Sequence, residues 1–144
     1  MNGRKRHLLT DTLGLLLAVL VTPASTTDRD AARILLSSAK NRFGGLARVW
    51  ADGGYTGHLT DWAAAQLGIV LDIVRRSDDV SGFQVLPRRW VVERSFAWCL
   101  RSRRLVRDYE RRTDTSEAVV LWSMTTLMSR RLAARQYLAP AVAA

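Results

Sequence analysis

Cysteine is almost absent: Cys99 is the only one in 144 residues. A lone thiol excludes a disulfide framework, and it excludes any zinc or iron–sulfur site built from several cysteines. The usage suits a reducing, cytoplasmic compartment. Histidine is nearly as scarce. His7 and His58 stand too far apart to give a metal-ligand spacing, and neither reads as a ligand. No repeat and no low-complexity linker divides the chain, so its length fits one domain rather than two. Lysine is limited to Lys5 and Lys40. The formal charge of +9 is therefore almost entirely guanidinium. A field of that sign favours phosphate-rich partners and argues against cationic substrates. The longest apolar run, Leu13 to Val21, is about half of what a membrane span requires.

The amino-terminal stretch has the outline of a secretory signal, with a basic start, an apolar run, and Ala24 and Ser25 after a proline. Asp11 and Thr12 interrupt that outline where the apolar core has to begin. A β-hairpin fits better. His7–Thr10 is one strand, Asp11–Gly14 the turn, and Leu15–Val21 a second strand closed by Pro23. The near-continuous apolar run suits a strand covered on both faces.

Thr27 and Asp30 resemble a helix-opening box. Ala31, Ile34, Leu35 and Ser38 then recur at helical spacing, so a helix is predicted to about Arg42, where Gly44-Gly45 breaks it. Arg48–Asp52 reads as a strand and Gly57–Gln66 as a helix. That helix carries Leu59, Trp62, Ala63 and Leu67 on one face, and Gly68 stops it. Ile69–Val74 is a further strand, and Arg75–Gly82 a polar loop. Helices are predicted from Arg88 to about Arg107 and from Asp114 onward. The second has Ala118, Leu121, Trp122, Thr125, Met128 and Leu132 on its apolar stripe. Residues 1–136 form the domain and 137–144 a disordered tail. The order of elements is an α/β plan, one sheet covered by helices.

Three constellations carry chemistry. Asp52 ends a strand and precedes Gly53-Gly54, at the kind of rim where α/β sheets bind ligands. It is either a metal-binding carboxylate or an Asp-Gly turn bonded to its own backbone. Arg89 and Glu93 are four apart on one helix face, which is either a surface ion pair or a carboxylate holding a cation. Nine arginines lie between Arg88 and Arg112 against only three acids, too many to share one helix face. Guanidinium forks suit phosphate, so this is either a solvated surface or a nucleic-acid interface. Gly3-Arg4-Lys5-Arg6-His7 adds a second basic cluster. Cys99 falls on an apolar helix face as an inert thiol, the five tryptophans pack helices, and neither Ser95 nor Ser102 has a partner base.

Taken in order, these pieces resemble one family. They are Gly3-Arg4-Lys5-Arg6-His7 leading into Thr10-Asp11-Thr12-Leu13-Gly14, then Asp28-Arg29-Asp30 and Trp50-Ala51-Asp52-Gly53-Gly54-Tyr55. Arg89-Trp90-Val91-Val92-Glu93-Arg94-Ser95-Phe96-Ala97-Trp98, Arg103-Arg104-Leu105 and Asp108-Tyr109-Glu110 follow. The chain over residues 3–132 is similar to the carboxyl-terminal half of a DDE transposase of small bacterial insertion sequences. The resemblance implies an RNase H-like mixed sheet flanked by helices. It also implies two divalent cations, Mg2+ or Mn2+, held by an Asp-Asp-Glu triad. Asp52 matches the second Asp and Glu93 the Glu, as catalytic and metal-binding residues. A basic residue expected about seven positions beyond the Glu falls on Leu100, beside Arg101. Arg4, Lys5, Arg6, Arg89, Arg94, Arg101, Arg103, Arg104 and Arg107 are the expected DNA contacts.

The family's first Asp lies on a strand ahead of the Gly3–His7 segment, and Asp11 matches the hairpin turn instead. The expected fold is thus incomplete, lacking its first central strand, and the isolated chain is expected to be inactive and poorly stable. The implied partners are DNA and a further copy or a full-length transposase, with no membrane. The competing expectation is a non-catalytic DNA-binding remnant that modulates a full-length transposase.

Overall fold

The computed structural model describes residues 3–74 and 89–138, apart from the side chains of Arg89 and of residues 135–138. The chain opens on an antiparallel hairpin of β1 (Arg4–Thr10) and β2 (Leu16–Pro23). Asp11 builds the turn: its Oδ1 accepts from the backbone N–H of Leu13 and of Leu15, at 2.9 and 2.8 Å. The hairpin matches expectation, with β1 starting three residues earlier than predicted. β2 contributes to apolar clusters on both of its faces, as the continuous run required. Leu17, Ala18 and Leu20 pack toward one, Leu16 and Val19 toward the other.

Thr27 caps α1 (Asp28–Arg42), its Oγ1 accepting from Asp30 N–H at 3.2 Å. The predicted stripe is displaced by part of a turn. Ala31, Ala32, Leu35, Leu36 and Ala39 are buried, whereas Ile34 and Ser38 are exposed. Three alanines let the helix backbone approach the sheets closely, and their weak apolarity hid that face from periodicity. β3 (Arg48–Asp52) then runs parallel to β4 (Val70–Val74). Between them lies α2 (Leu59–Trp62), which widens into a π-helical turn at Ala63–Leu67. Gly68, at φ +61°, ends it as predicted. Leu59 and Ala63 are buried against Leu36, Val49 and Leu71, forming the first core with α1.

α3 (Arg89–Leu100) is shorter than the predicted helix, which extended to Arg107. The chain turns at Arg101 and makes a single 3-10 turn at Arg103–Leu105. Leu105, 1% exposed, explains the stop. It joins Leu16, Cys99, Val120 and Met124 in the second core, a position a straight continuation of α3 could not reach. Cys99 is buried there, as expected for an inert thiol, and burial raises its pKa.

α4 (Thr113–Leu138) packs on β2. Its buried face is Ser116, Val120 and Met124, and Met128 of the predicted stripe packs against the same core, but the rest of that stripe turns outward: Leu121 and Leu132 are exposed, and Trp122 is 79% exposed. Glu117 on the same helix reaches the outer edge of β2, where its Oε1 accepts from Val21 N–H at 2.8 Å. The tail expected at 137–144 begins as helix at Tyr137 and Leu138; its remainder lies outside the described residues, as does the expected loop Arg75–Gly82. The described residues therefore make a mixed α/β fold with two two-stranded sheets, rather than one continuous sheet. Among them no helix is long and apolar enough to cross a membrane.

Candidate active-site groove and basic surface

A groove of about 570 Å3 runs between the two sheets. β1 and β3 form its long walls, with Lys5–Leu9 on one side and Val49–Asp52 on the other. Leu35 and Leu36 of α1 and Val92, Glu93 and Phe96 of α3 close its two faces. Asp52, at the carboxyl end of β3, and Glu93, on α3, thus line one groove although 41 positions separate them. Among the described residues no group of three or more His, Cys, Asp or Glu side chains gathers closely enough to hold a metal ion.

Asp52 carries out the turn chemistry open to it. Its Oδ1 accepts from Gly54 N–H at 3.0 Å and caps the 3-10 turn Gly53–Tyr55. Oδ2 has no hydrogen-bond partner among the described residues. Turn-building and cation binding are compatible here, since one oxygen serves each. A Cβ at Gly54 would stand 3.2 Å from Asp52 Oδ1 and 3.5 Å from Asp28 Oδ2, so the glycine keeps the approach to both carboxylates open. Glu93 is exposed at the groove's other face.

Three polar residues not assigned to the site from sequence also border it. Asp28, at the start of α1, takes an ion pair from Lys5 Nζ at 3.0 Å. His7 is buried, with Nε2 3.1 Å from Thr22 Oγ1 and Nδ1 3.4 Å from the Tyr55 hydroxyl. Burial holds the His7 pKa below its ordinary value. The Tyr55 hydroxyl is pushed up to about 12 by burial and by the neighbouring Asp28 and Asp52 charges. Tyr55 follows the Asp-Gly-Gly run directly, which was the available sequence cue. The Lys5–Asp28 and His7–Tyr55 approaches depend on the tertiary fold.

The basic residues divide into two groups. Arg4 clamps the chain before α4: Nη1 donates to the carbonyl of Glu110 at 2.6 Å, and Nη2 donates to that of Arg111. Arg6 Nη1 donates to Leu105 O at 2.8 Å, and Arg104 pairs with Glu110 at 2.6 Å. Arg94 stacks on Trp90, 3.9 Å from the ring centroid, and lies 5.7 Å from that of Trp98. Arg101, Arg103 and Arg107 are exposed and have no side-chain partner among the described residues. The side chain of Arg89 lies outside the described residues. Ser95, without a role in the sequence reading, fixes α3 to the hairpin: its Oγ lies 2.7 Å from Gly14 O.

A sequence profile described as the transposase DDE domain matches residues 1–128. The chain belongs to the transposase DDE-domain family. Within that family it is 34% identical to the putative transposase for insertion sequence element IS402 of Burkholderia cepacia, over 78% of this chain and 56% of that protein. The chain thus spans about half the length of this curated relative. No solved structure matches. Asp52 and Glu93 both fall within the matched DDE-domain residues.

Proposed function

We propose that this chain is part of the catalytic domain of an insertion-sequence transposase, a DNA-binding domain that in the complete protein cuts and joins DNA strands. The observation that carries the reading is that Asp52 and Glu93 line one groove in a chain of the transposase DDE-domain family. Two carboxylates fit a hard divalent cation, which takes one or two protein oxygens and leaves positions for water and phosphate. Asp52 and Glu93 would hold Mg2+ or Mn2+. When bound, a pair of such ions activates a water or a DNA 3′-hydroxyl and stabilises the leaving oxygen of the phosphodiester. Asp52 and Glu93 would serve as the anchors, and Gly54 keeps the approach to the Asp52 carboxylate open. Arg101, Arg103 and Arg107 neutralise the strand backbone.

The fold in this reading is RNase H-like. Its first central strand, carrying the third carboxylate, lies outside the described residues. The protein acts on DNA in the cytoplasm, as a homo-oligomer or with a full-length transposase. A second reading, a non-catalytic DNA-binding module, is favoured by the bond from Gly54 N–H to Asp52 Oδ1, which is what an ordinary Asp-Gly turn makes.

Two titrations separate the readings. Mn2+ binding is measured on the chain and on the Asp52→Asn, Glu93→Gln double variant, and duplex DNA binding is followed by anisotropy without metal. The catalytic reading expects the double variant to lose Mn2+ affinity and keep its DNA affinity. Equal Mn2+ affinity in both proteins overturns it and leaves the binding module. Failure of either protein to bind DNA removes both readings.

A further inference from the structure

We infer that the segment from Arg101 to Arg111 is a docking platform for an unpaired DNA strand, with Tyr109 as the ring on which an exposed base stacks. The inference rests on the reading of this chain as a DNA-binding domain. It adds the form of the DNA and the residue that recognises it, and it makes no use of Asp52, Glu93 or a metal ion.

A single exposed tyrosine calls for no explanation by itself, since protein surfaces are rich in apolar atoms. Tyr109 differs in its company. Its side chain is 65% exposed, has no hydrogen-bond partner among the described residues, and stands in the chain between the exposed Arg107 and Arg111. Val106 is also exposed, on the same stretch as the exposed Arg101 and Arg103. Apolar and guanidinium groups thus interleave over one exposed length of chain. Trp122, more exposed still, has no arginine within a helical turn of it.

The two acids that flank Tyr109 are engaged by the protein. Asp108 Oδ2 lies 3.4 Å from Arg4 Nε, and Glu110 Oε1 accepts from Arg104 Nε at 2.6 Å. Both carboxylates are neutralised in place, so neither opposes a phosphate. The side chains of Arg101, Arg103, Arg107 and Arg111 have no such partner among the described residues, which leaves four guanidinium groups for a strand backbone.

The segment is also held in place on both sides of the ring. Before it, Leu105 is buried in the second core and its carbonyl accepts from Arg6 at 2.8 Å. After it, Arg4 donates to the carbonyls of Glu110 and Arg111. A ring presented from a fixed backbone loses little further freedom when a ligand lands on it. Residues alternate along β1: Arg4 and Arg6 reach this segment, whereas Lys5 and His7 reach Asp28 and Tyr55. The platform is thereby fixed to the strand that walls the groove, through the side chains that point away from Asp28 and Tyr55.

The exposed ring decides the form of the DNA. Duplex bases already stack on one another, and a duplex backbone needs only the arginines. An unpaired base has a free face, and stacking on an aromatic side chain beside cationic groups is how single strands are held with little sequence preference.

The test uses the full chain without metal and reads anisotropy of labelled probes: a thymidine strand of about twelve nucleotides, the same strand with its central bases removed, a uridine strand and a mixed-sequence duplex. Tyr109→Ala is expected to weaken thymidine-strand binding about five- to 150-fold and duplex binding less than about twofold, with an unchanged salt slope. Tyr109→Phe keeps the ring and is expected to keep the affinity. The parent is expected to bind the base-less strand as weakly as Tyr109→Ala binds the intact one. Equal binding of intact and base-less strands by the parent overturns the inference and needs no variant to fold. Equal losses on strand and duplex in Tyr109→Ala, or a Tyr109→Phe as weak as Tyr109→Ala, overturn it as well. In each of these cases retained duplex binding leaves the proposed function standing. A uridine strand bound more tightly than the thymidine strand assigns the platform to RNA and overturns its DNA assignment. Binding of neither strand nor duplex overturns both the platform and the reading on which it rests.

Discussion

Ser95 Oγ lies 2.7 Å from the carbonyl oxygen of Gly14 and 3.0 Å from that of Val91, so one buried hydroxyl ties α3 to the hairpin turn. Gly14 can approach so closely because it has no side chain and sits at φ +82°. A Cβ there would meet Ser95 Oγ at 3.0 Å and Trp98 Cζ3 at 3.2 Å. Left-handed strain and overpacking combine in Gly14→Ala, which is expected to cost about 3 kcal/mol. Ser95→Ala removes the tie without a clash and is expected to cost about 1 kcal/mol. Urea unfolding midpoints at constant slope measure both. Gly14→Ala no worse than Ser95→Ala would show that the turn moves freely away from α3.

The division among the arginines gives opposite phenotypes to residues of one charge. Arg4 and Arg6 donate to backbone carbonyls before α4, so Arg4→Met or Arg6→Met is expected to lower stability by about 1–3 kcal/mol. Arg101, Arg103 and Arg107 are exposed and make no such contacts among the described residues. Changing any of them to Ala is expected to leave the unfolding midpoint within about 0.5 kcal/mol. Each that touches phosphate should reduce the slope of log DNA affinity against log salt by about 0.9. An unchanged salt slope in the triple variant would remove this face from the DNA interface.

On α4 the buried face contradicts the apolar pattern, and stability can decide between them. Met124 is 1% exposed in the second core, whereas Trp122 is 79% exposed. Met124→Ala is expected to cost about 2–5 kcal/mol, and Trp122→Ser less than about 0.5 kcal/mol. Thermal or chemical unfolding of the two variants settles the orientation of the helix. A Trp122 variant as damaging as the Met124 variant would mean that α4 is rotated.

Legibility followed the range of the interactions. Local chemistry was readable: the Asp11 turn, the Thr27 cap, the strand ending at Asp52 and the Gly68 stop all depend on residues a few positions apart. The faces of α1 and α4 were misread because their buried sides use Ala32, Ala39 and Ser116, which carry little hydrophobic signal. The end of α3 was misread because Leu105 is claimed by a distant cluster. In the site, Asp52 and Glu93 were found as motif residues, and the groove they share needed the fold. So did the internal engagement of Arg4, Arg6 and Arg94, since composition counts charges and does not show what each one touches.

His7 and Tyr55 make stability depend on pH in two separate windows. Burial lowers the His7 pKa below 6.5, its ordinary value. The unfolded chain therefore takes up a proton at higher pH than the folded one. The stabilisation is complete above about pH 7 and is lost as pH falls through the lowered folded value. Tyr55 has the opposite sign. Its pKa is raised from 10.0 to about 12, so its contribution is complete below pH 10 and is lost as pH rises toward 12. His7→Gln can keep a hydrogen bond to Thr22 and is expected to flatten the acid side below about pH 7. Tyr55→Phe is expected to flatten the alkaline side and leave the acid side alone. Urea unfolding across the pH range reads both limbs, and a His7→Gln protein with the parent's acid slope would mean that the His7 pKa is the same in the folded and the unfolded chain.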